Sequence, residues 1–500
     1  MTQSNRSDHS SQTSLHQLRD QLRKWTCIKN ASRNPETWKL TRLPLQIYWR
    51  RRRADAADVH ANLVLVPESA VPSPAYIHTL PPELLGEIFI HCLSSMQGLY
   101  ITIRDAPMLL CQICGHWRQV ALSLPVLWSN FRCNLGHEAK ASHARLLQLF
   151  VDRSHRTPLS LALTPAPGLD ATMKVLLANL YRWHDVRVDL DAEFGQLFLG
   201  ILCEEPLQLE SVDVTTCARN WDVDQLISRL SGLPSLRRLR WGADFLPPSL
   251  LNTAWPRLTD IKIAGRLLSI NDSITMLSNT PAVEHAALGF VDTSSETLTY
   301  RPLITLQRLR SLEFHAYDAD AILNNFTFPS LLSLATSQPH DRHVLRRLGE
   351  RSSWRLEVFN MIATLDAEEA IFYLRLPSMQ SVTSLGLNTG AGNDEIMTFL
   401  TRNPEIPFEA AILPYLTRLN LTVEKTADGA IGKIIVSRWL PQNLSAGLPA
   451  SLKNVKSWFH DDWPFEHGVE YHPVDIAYFT HLAQEGLDIS WDCGCSVVPL

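Results

Sequence analysis

The chain lacks the features that mark membrane, secreted and nucleic-acid-binding proteins. No apolar run in its 500 residues approaches the roughly 18 needed to cross a bilayer. The opening stretch MTQSNRSDHSSQTS has no apolar core of the kind a secretory signal requires. The expected compartment is therefore the cytoplasm, the nucleus or both. Cysteine is sparse: nine residues, an odd number, scattered at 27, 92, 111, 114, 133, 203, 217, 493 and 495. They make no disulfide framework, and in a reducing compartment most are expected as buried free thiols. The sequons Asn325-Phe-Thr and Asn420-Leu-Thr carry no meaning without secretion. The net charge is −5, so no basic footprint argues for nucleic acid, and neither nucleic acid nor a membrane is expected as a partner.

Catalytic signatures are missing too. There is no His-Glu-x-x-His, no Gly-x-Ser-x-Gly and no dinucleotide glycine fingerprint. Three near misses have plainer explanations. CQIC (111–114) has redox or metal spacing, but it falls inside an expected helix with no second cysteine pair nearby. WDCGC (491–495), with His460, His467, His472 and His481 upstream, matches no zinc-finger spacing. GAIGK (429–433) lacks the phosphate-loop spacing and has Ile434 after its lysine, so it reads as a helix start. The expectation is a non-enzyme with no cofactor and no metal.

What is present is the composition of a folded protein, 45% apolar and 19% charged. Residues 1–75 differ from the rest: 12 Lys/Arg against 6 Asp/Glu, a net of +6 that leaves −11 beyond them. They read as a largely disordered tail with one short helix, where Leu15, Leu18, Leu22 and Trp25 fall at helical spacing. The four arginines at 50–53 read as a solvated basic run in preference to a nuclear-import signal. VPESAVPSPAY (66–76), with three prolines, reads as a linker.

A helical block is expected over 76–132. In LPPELLGEIFIHCL, Thr79 can cap a helix whose first turn tolerates Pro81 and Pro82, and Glu83 suits the positive helix start. Leu84 and Ile88 lie on one line, and Leu85, Phe89 and Leu93 on the next. Spacing leaves open which line faces outward. After Pro107, MLLCQICGHWRQVALSL predicts one helix with Leu110, Ile113, Cys114, Trp117, Ala121 and Leu124 in a stripe, stopped by Pro125. Trp128 and Phe131 follow as anchors.

Beyond residue 157 the chain becomes periodic. The pattern apolar-x-x-apolar-x-apolar starts at Pro158, Trp183, Leu209, Leu236, Leu258, Val283, Leu309, Leu331, Leu356, Val382 and Leu416. Apart from the last, the intervals run from 22 to 27 residues, inside the window of leucine-rich repeats. Helix-like pieces such as VDQLISRLSGL (223–233) lie between the copies, so each unit reads as strand, turn, helix. One unit cannot bury its apolar face alone, whereas stacked units share a core. The turn position where such repeats normally carry Asn or Cys is matched only by Cys217, so the array is degenerate.

LPPELLGEIFIHCL, then Ile113-Cys114-x-x-Trp117-Arg118, then Pro125-x-Leu127-Trp128, resembles the F-box in the form common in mushroom-forming (basidiomycete) fungi. The match covers about residues 78–131. ADGAIGKIIVSRW (427–439) is similar to a segment seen late in fungal proteins of this kind. The resemblance implies a Skp-type adaptor and a cullin scaffold as partners, with the adaptor face at Leu80, Pro81, Leu84, Leu85, Ile88, Phe89, Cys114 and Trp117. It also implies an unknown protein substrate held by the repeats.

The expected fold is α+β overall: a small all-α F-box block followed by an α/β leucine-rich-repeat-like solenoid. The expected domains are a tail (1–75), the F-box (76–132), a linker packing onto the repeats (133–157), the solenoid (158–442) and a capping segment (443–500). SWFHDDWPFEHGVEYH (457–472), rich in aromatics, His and acids, reads as part of that cap before it reads as a binding hot spot. Variable positions between the pattern residues point to Arg237, Arg238, Arg240, Asp260 and Lys262 as substrate contacts. The expected function is a substrate-recognition subunit of a Skp-cullin-F-box ubiquitin ligase. The alternative is a non-ligase interaction scaffold built on the repeats.

Overall fold

The computed structural model describes residues 80–93, 99–134, 141–164, 171–203, 208–216, 221–243, 245–264, 268–292, 303–316, 319–337, 339–389, 394–403, 405–407, 411–423, 426–439, 451–459 and 472–492. The expected tail and linker, Thr79, Cys217, residues 460–471 and the last two cysteines lie outside them. The chain divides into two compact units, one ending at Trp128 and the other beginning at Ser129. Helices and strands are mixed, and the strands of the larger unit form a parallel sheet. Among the described residues, no helix is long and apolar enough to cross a membrane.

The first unit is built on helix α1 (Pro82–His91). Its prolines set where it begins: Pro81 takes the N-cap position in extended conformation and Pro82 is the first helical residue, where the missing amide costs nothing. No side chain caps this end. The single helix expected after Pro107 is instead two, α2 (Leu110–Ile113) and α3 (Gly115–Ser123). Cys114 breaks them with extended backbone angles, and its Sγ accepts the amide proton of Trp117 at 3.4 Å. The CQIC spacing therefore straddles a helix break, with Cys114 used as a cap. Leu127 and Trp128 are fully buried after α3, and the Trp128 indole donates to the Ala121 carbonyl at 2.8 Å.

Fourteen strands of the second unit pair in chain order. They are β1 (Asn130–Asn134), β2 (Leu159–Thr164), β3 (Trp183–Leu190), β4 (Ser211–Thr216), β5 (Arg238–Trp241), β6 (Asp260–Ile263) and β7 (His285–Asp292). Then follow β8 (Ser311–Ala316), β9 (Ser333–Thr336), β10 (Val358–Leu365), β11 (Ser384–Thr389), β12 (Arg418–Val423), β13 (Asn454–Phe459) and β14 (Asp488–Asp492). Parallel neighbours require a crossover. Here most crossovers are a helix, several of them opened by an acidic or hydroxyl cap: Asp191, Asp222, Ser269 and Asp366 each accept an amide proton of the first turn.

Register partners form one unbroken row, Phe131–Leu161–Val186–Val212–Leu239–Ile261–Ala286, continued by Leu312–Leu334–Phe359–Leu385–Leu419–Val455–Ile489. All but Ile489 are buried. Eleven of these residues are the middle apolar positions of the eleven pattern copies. Alternation then places the intervening residues on the opposite, open face.

Three arginines tie successive units together in the same way. Arg182, Arg351 and Arg438 each donate to a carbonyl 25 residues upstream, on Thr157, Phe326 and Leu413. Each also reaches a carbonyl in or near the last turn of the preceding helix, on Val151, Leu323 and Leu400 respectively. A guanidinium there satisfies orphaned carbonyls and meets the negative helix end.

Two expected boundaries move. Residues 133–157 are not a connection: they hold the end of β1 and the helix Ala141–Arg153, the first strand–helix unit of the sheet. Residues 443–500 hold β13 and β14, which extend the same sheet in register.

Candidate functional site

Helix α1 carries two apolar lines, and burial separates them. Leu85 and Phe89 are fully buried, and the Phe89 ring packs on Trp117 with centroids 4.9 Å apart. Leu84 on the other line is 45% exposed, Ile88 and Leu80 are half-buried, and Pro81 is exposed. Ile113, which the sequence stripe grouped with Trp117, is 52% exposed and is the last residue of α2 before the break at Cys114. Of the eight expected adaptor contacts, Leu80, Pro81, Leu84, Ile88 and Cys114 present surface, whereas Leu85, Phe89 and Trp117 form the core beneath them. The Trp117 indole nitrogen is buried and donates to no partner.

The open face of the sheet is the second candidate. Arg238, Arg240, Asp260 and Lys262 stand on it in register, Arg238 beside Asp260 and Arg240 beside Lys262. Arg237 does not join them. It precedes β5, and its guanidinium turns back to the carbonyls of Pro234 and Leu236. The other two arginines are occupied. Arg238 bridges Asp185 at 2.6 Å and Glu210 at 2.8 Å, and His184 reaches Glu210 at 2.9 Å. Arg187 holds Asp213 at 2.6 Å, and Arg240 approaches the same carboxylate at 3.8 Å. Partial burial opposes the Asp185 charge, yet hydrogen bonds from Arg238 and His184 outweigh it and hold the carboxyl below the usual range. Arg187 and Arg238 thus brace neighbouring strands, while Arg240 and Lys262 are exposed.

Further along, four consecutive strands each place one asparagine on this face: Asn360, Asn388, Asn420 and Asn454. Gly386, between Asn360 and Asn420 in register, leaves the space that the Asn360 carboxamide fills; a Cβ there would meet its oxygen at 2.3 Å. The Asn388 Oδ1 is buried without a hydrogen-bond partner. Trp458, on β13 beside Thr422, is 49% exposed. From the sequence, Asn420 stands out only as a sequon and Trp458 only within the aromatic stretch 457–472, and Asn360, Asn388 and Asn454 are not singled out, although each alternates with buried apolar residues.

A third cluster joins Asp428, His472 and Asp475, whose donor atoms lie within 4.8 Å of one another. Its chemistry is capping. Asp428 accepts the amide protons of Val474 and Asp475 at the start of the helix Pro473–Gln484. Asp475, fully buried, accepts from the Gly432 amide at 2.7 Å in the first turn of the helix Ala430–Arg438 and meets His472 Nδ1 at 3.1 Å. Each helix thus caps the other. GAIGK is explained by the same contact: Gly429 has φ +84°, and Gly432 makes room for the Tyr478 ring.

No family model matches the chain, and no curated protein matches it.

Proposed function

We propose that the chain is a substrate-recognition subunit of a Skp-cullin-F-box ubiquitin ligase, acting in the cytoplasm or nucleus. The observation that carries this function is the division of labour on α1: Leu85 and Phe89 close a small core while Leu84 and Ile88 remain available. A unit of this size leaves apolar surface over, and such surface marks a partner site. The resemblance of residues 78–131 to the F-box supplies the partner, a Skp-type adaptor.

The strand–helix array behind it is the leucine-rich-repeat-like solenoid of that proposal, and its open face is where a target protein is held. The mechanism is proximity. One unit grips the ligase scaffold and the other grips the target, so that a target lysine meets the charged ubiquitin carrier at high effective concentration. No bond chemistry is assigned to this chain.

The test is co-purification of the full chain with a recombinant Skp-type adaptor. Wild type is expected to retain the adaptor, and Leu84→Asp/Ile88→Asp to release it with the circular dichroism spectrum unchanged. A wild-type chain that is folded and retains no adaptor overturns the ligase role and leaves the interaction scaffold.

A further inference from the structure

The caps at Asp428 and Asp475 leave ligating capacity on both carboxylates, and a histidine stands between them. Three consecutive elements meet there. The loop before the helix Ala430–Arg438 brings Asp428, and the start of the helix Pro473–Gln484 brings His472 and Asp475. β13 ends at Phe459, whose ring stacks on the His472 imidazole with centroids 4.7 Å apart. The buried imidazole places Nδ1 3.1 Å from Asp475 Oδ2 and 3.8 Å from Asp428 Oδ1. Asp475 is fully buried, whereas the Asp428 side chain is 33% exposed. Among the described residues, no lysine or arginine forms an ion pair with either carboxylate. Burying such charge is costly unless a cation or a metal compensates it.

We propose that Asp428, His472 and Asp475 form a zinc site that ties the helix Pro473–Gln484 to the helix Ala430–Arg438, with solvent in the fourth position on the Asp428 side. Imidazole nitrogen and carboxylate oxygen are ordinary zinc ligands at about 2.0–2.2 Å, so two ligands of one ion stand at most about 4.4 Å apart. Both His472 distances fall within that reach, and all three donors lie within 4.8 Å of one another. A neutral imidazole leaves the two negative charges in place; a dication offsets both. The caps then act as the layer of hydrogen bonds that orients ligating carboxylates. Amides of Val474 and Asp475 hold Asp428, and the Gly432 amide holds Asp475 through Oδ1, leaving Oδ2 toward His472. Asp394 steadies the loop in turn, accepting from the Thr426 hydroxyl at 2.6 Å and the Ala427 amide at 2.9 Å. The nitrogen ligand selects zinc over calcium and magnesium, which take oxygen. The site is independent of the receptor function.

The experiment is titration of the full chain with Zn2+ against a competing chelator, followed by thermal melts. Wild type is expected to take up an equivalent whose Kd rises at least tenfold in Asp428→Asn and in His472→Asn. The Kd is unchanged in His481→Asn, an exposed histidine on the same helix. Asparagine keeps an amide-accepting oxygen at 428 and tolerates the φ of 54° at 472, so both variants are expected to fold. Zn2+ raises the melting temperature of wild type and of neither site variant. Co2+ in its place gives d–d absorption without thiolate charge transfer, which separates this site from the chain's nine cysteines. No bound equivalent overturns the proposal, as does an affinity indifferent to both site substitutions, a thiolate band, or a preference for Mg2+ or Ca2+ over Zn2+. Adaptor retention, measured on the same preparation, bears on the receptor function alone.

Discussion

The rings of Phe89 and Trp117 pack with their centroids 4.9 Å apart, one from α1 and one from α3. This contact turns Leu85 and Phe89 inward and leaves Leu84 and Ile88 on the surface. Substitutions on the two lines of α1 should then differ sharply. Phe89→Ala should destabilise the helical unit by roughly 3–5 kcal/mol, as large core truncations do. Leu84→Ala should stay within about 0.5 kcal/mol. Hydrogen exchange at the amides of residues 82–123 separates the two: protection collapses in the first variant and is kept in the second.

Arg438 is buried and donates to the carbonyls of Leu400, Ile412 and Leu413. Arg438→Met strands these acceptors and should cost roughly 2–4 kcal/mol, given about 1–3 kcal/mol for a buried group left unpaired. Arg438→Lys should recover less than half of that, because an ammonium cannot span the three carbonyls. Limited proteolysis between residues 394 and 439 reads the difference. Burial, and secondarily the charge of Arg402, lowers this guanidinium to about 10. A base whose folded pKa is depressed is charged in both states below that value, so its contribution should be flat from about pH 6 to 9 and become more favourable only above about pH 10.

Asp185 behaves in the opposite sense. Its carboxyl is held below the ordinary range by Arg238 and His184 against the pull of burial. The stabilisation is therefore present above the unfolded carboxyl pKa of about 4 and is lost as pH falls through the folded value. Asp185→Asn should flatten the acid limb of the stability profile below about pH 4 while leaving the slope between pH 6 and 8 unchanged. Urea midpoints across that range check it.

Two helical glycines offer a matched pair. A Cβ on Gly432 would lie 2.2 Å from the Tyr478 ring, whereas one on Gly200 would meet nothing within 4 Å. Gly432→Ala should cost about 1–3 kcal/mol by overpacking. Gly200→Ala should be neutral or stabilise by up to about 1 kcal/mol through helix propensity. Thermal melts of the two variants beside wild type decide it.

Much of the sheet was legible in the sequence because its strands obey one spacing rule. Every copy of the apolar pattern, from Pro158 to Leu416, coincides with a strand, and the middle residues share one register row. Three further strands of that row escaped. Around Phe131 the pattern runs through Trp128, which was absorbed into the helical block. Around Val455 and Ile489 it meets Ser457 and Gly486, polar or side-chainless where an apolar group was sought. The break at Cys114 was hidden because an unbroken helix also accounted for the apolar stripe.

Contacts between distant residues left no local trace. Arg238 and Asp185 meet across 53 positions, and no pattern within a window announces that an arginine is already occupied. For that reason Arg238 and Arg240 look available from the sequence, while Trp458 reads as part of a cap in the stretch 457–472. In the helical unit, spacing found both lines of α1, and only packing decided between them.

The most direct test of the receptor function is a binding titration of purified adaptor onto the full chain by isothermal calorimetry. Wild type, Leu84→Asp/Ile88→Asp and Trp458→Ala are compared. The account predicts one-to-one binding by wild type, a loss of at least tenfold in affinity for the α1 variant, and no change for the sheet variant. No binding by a folded wild-type chain, or equal binding by all three, contradicts it.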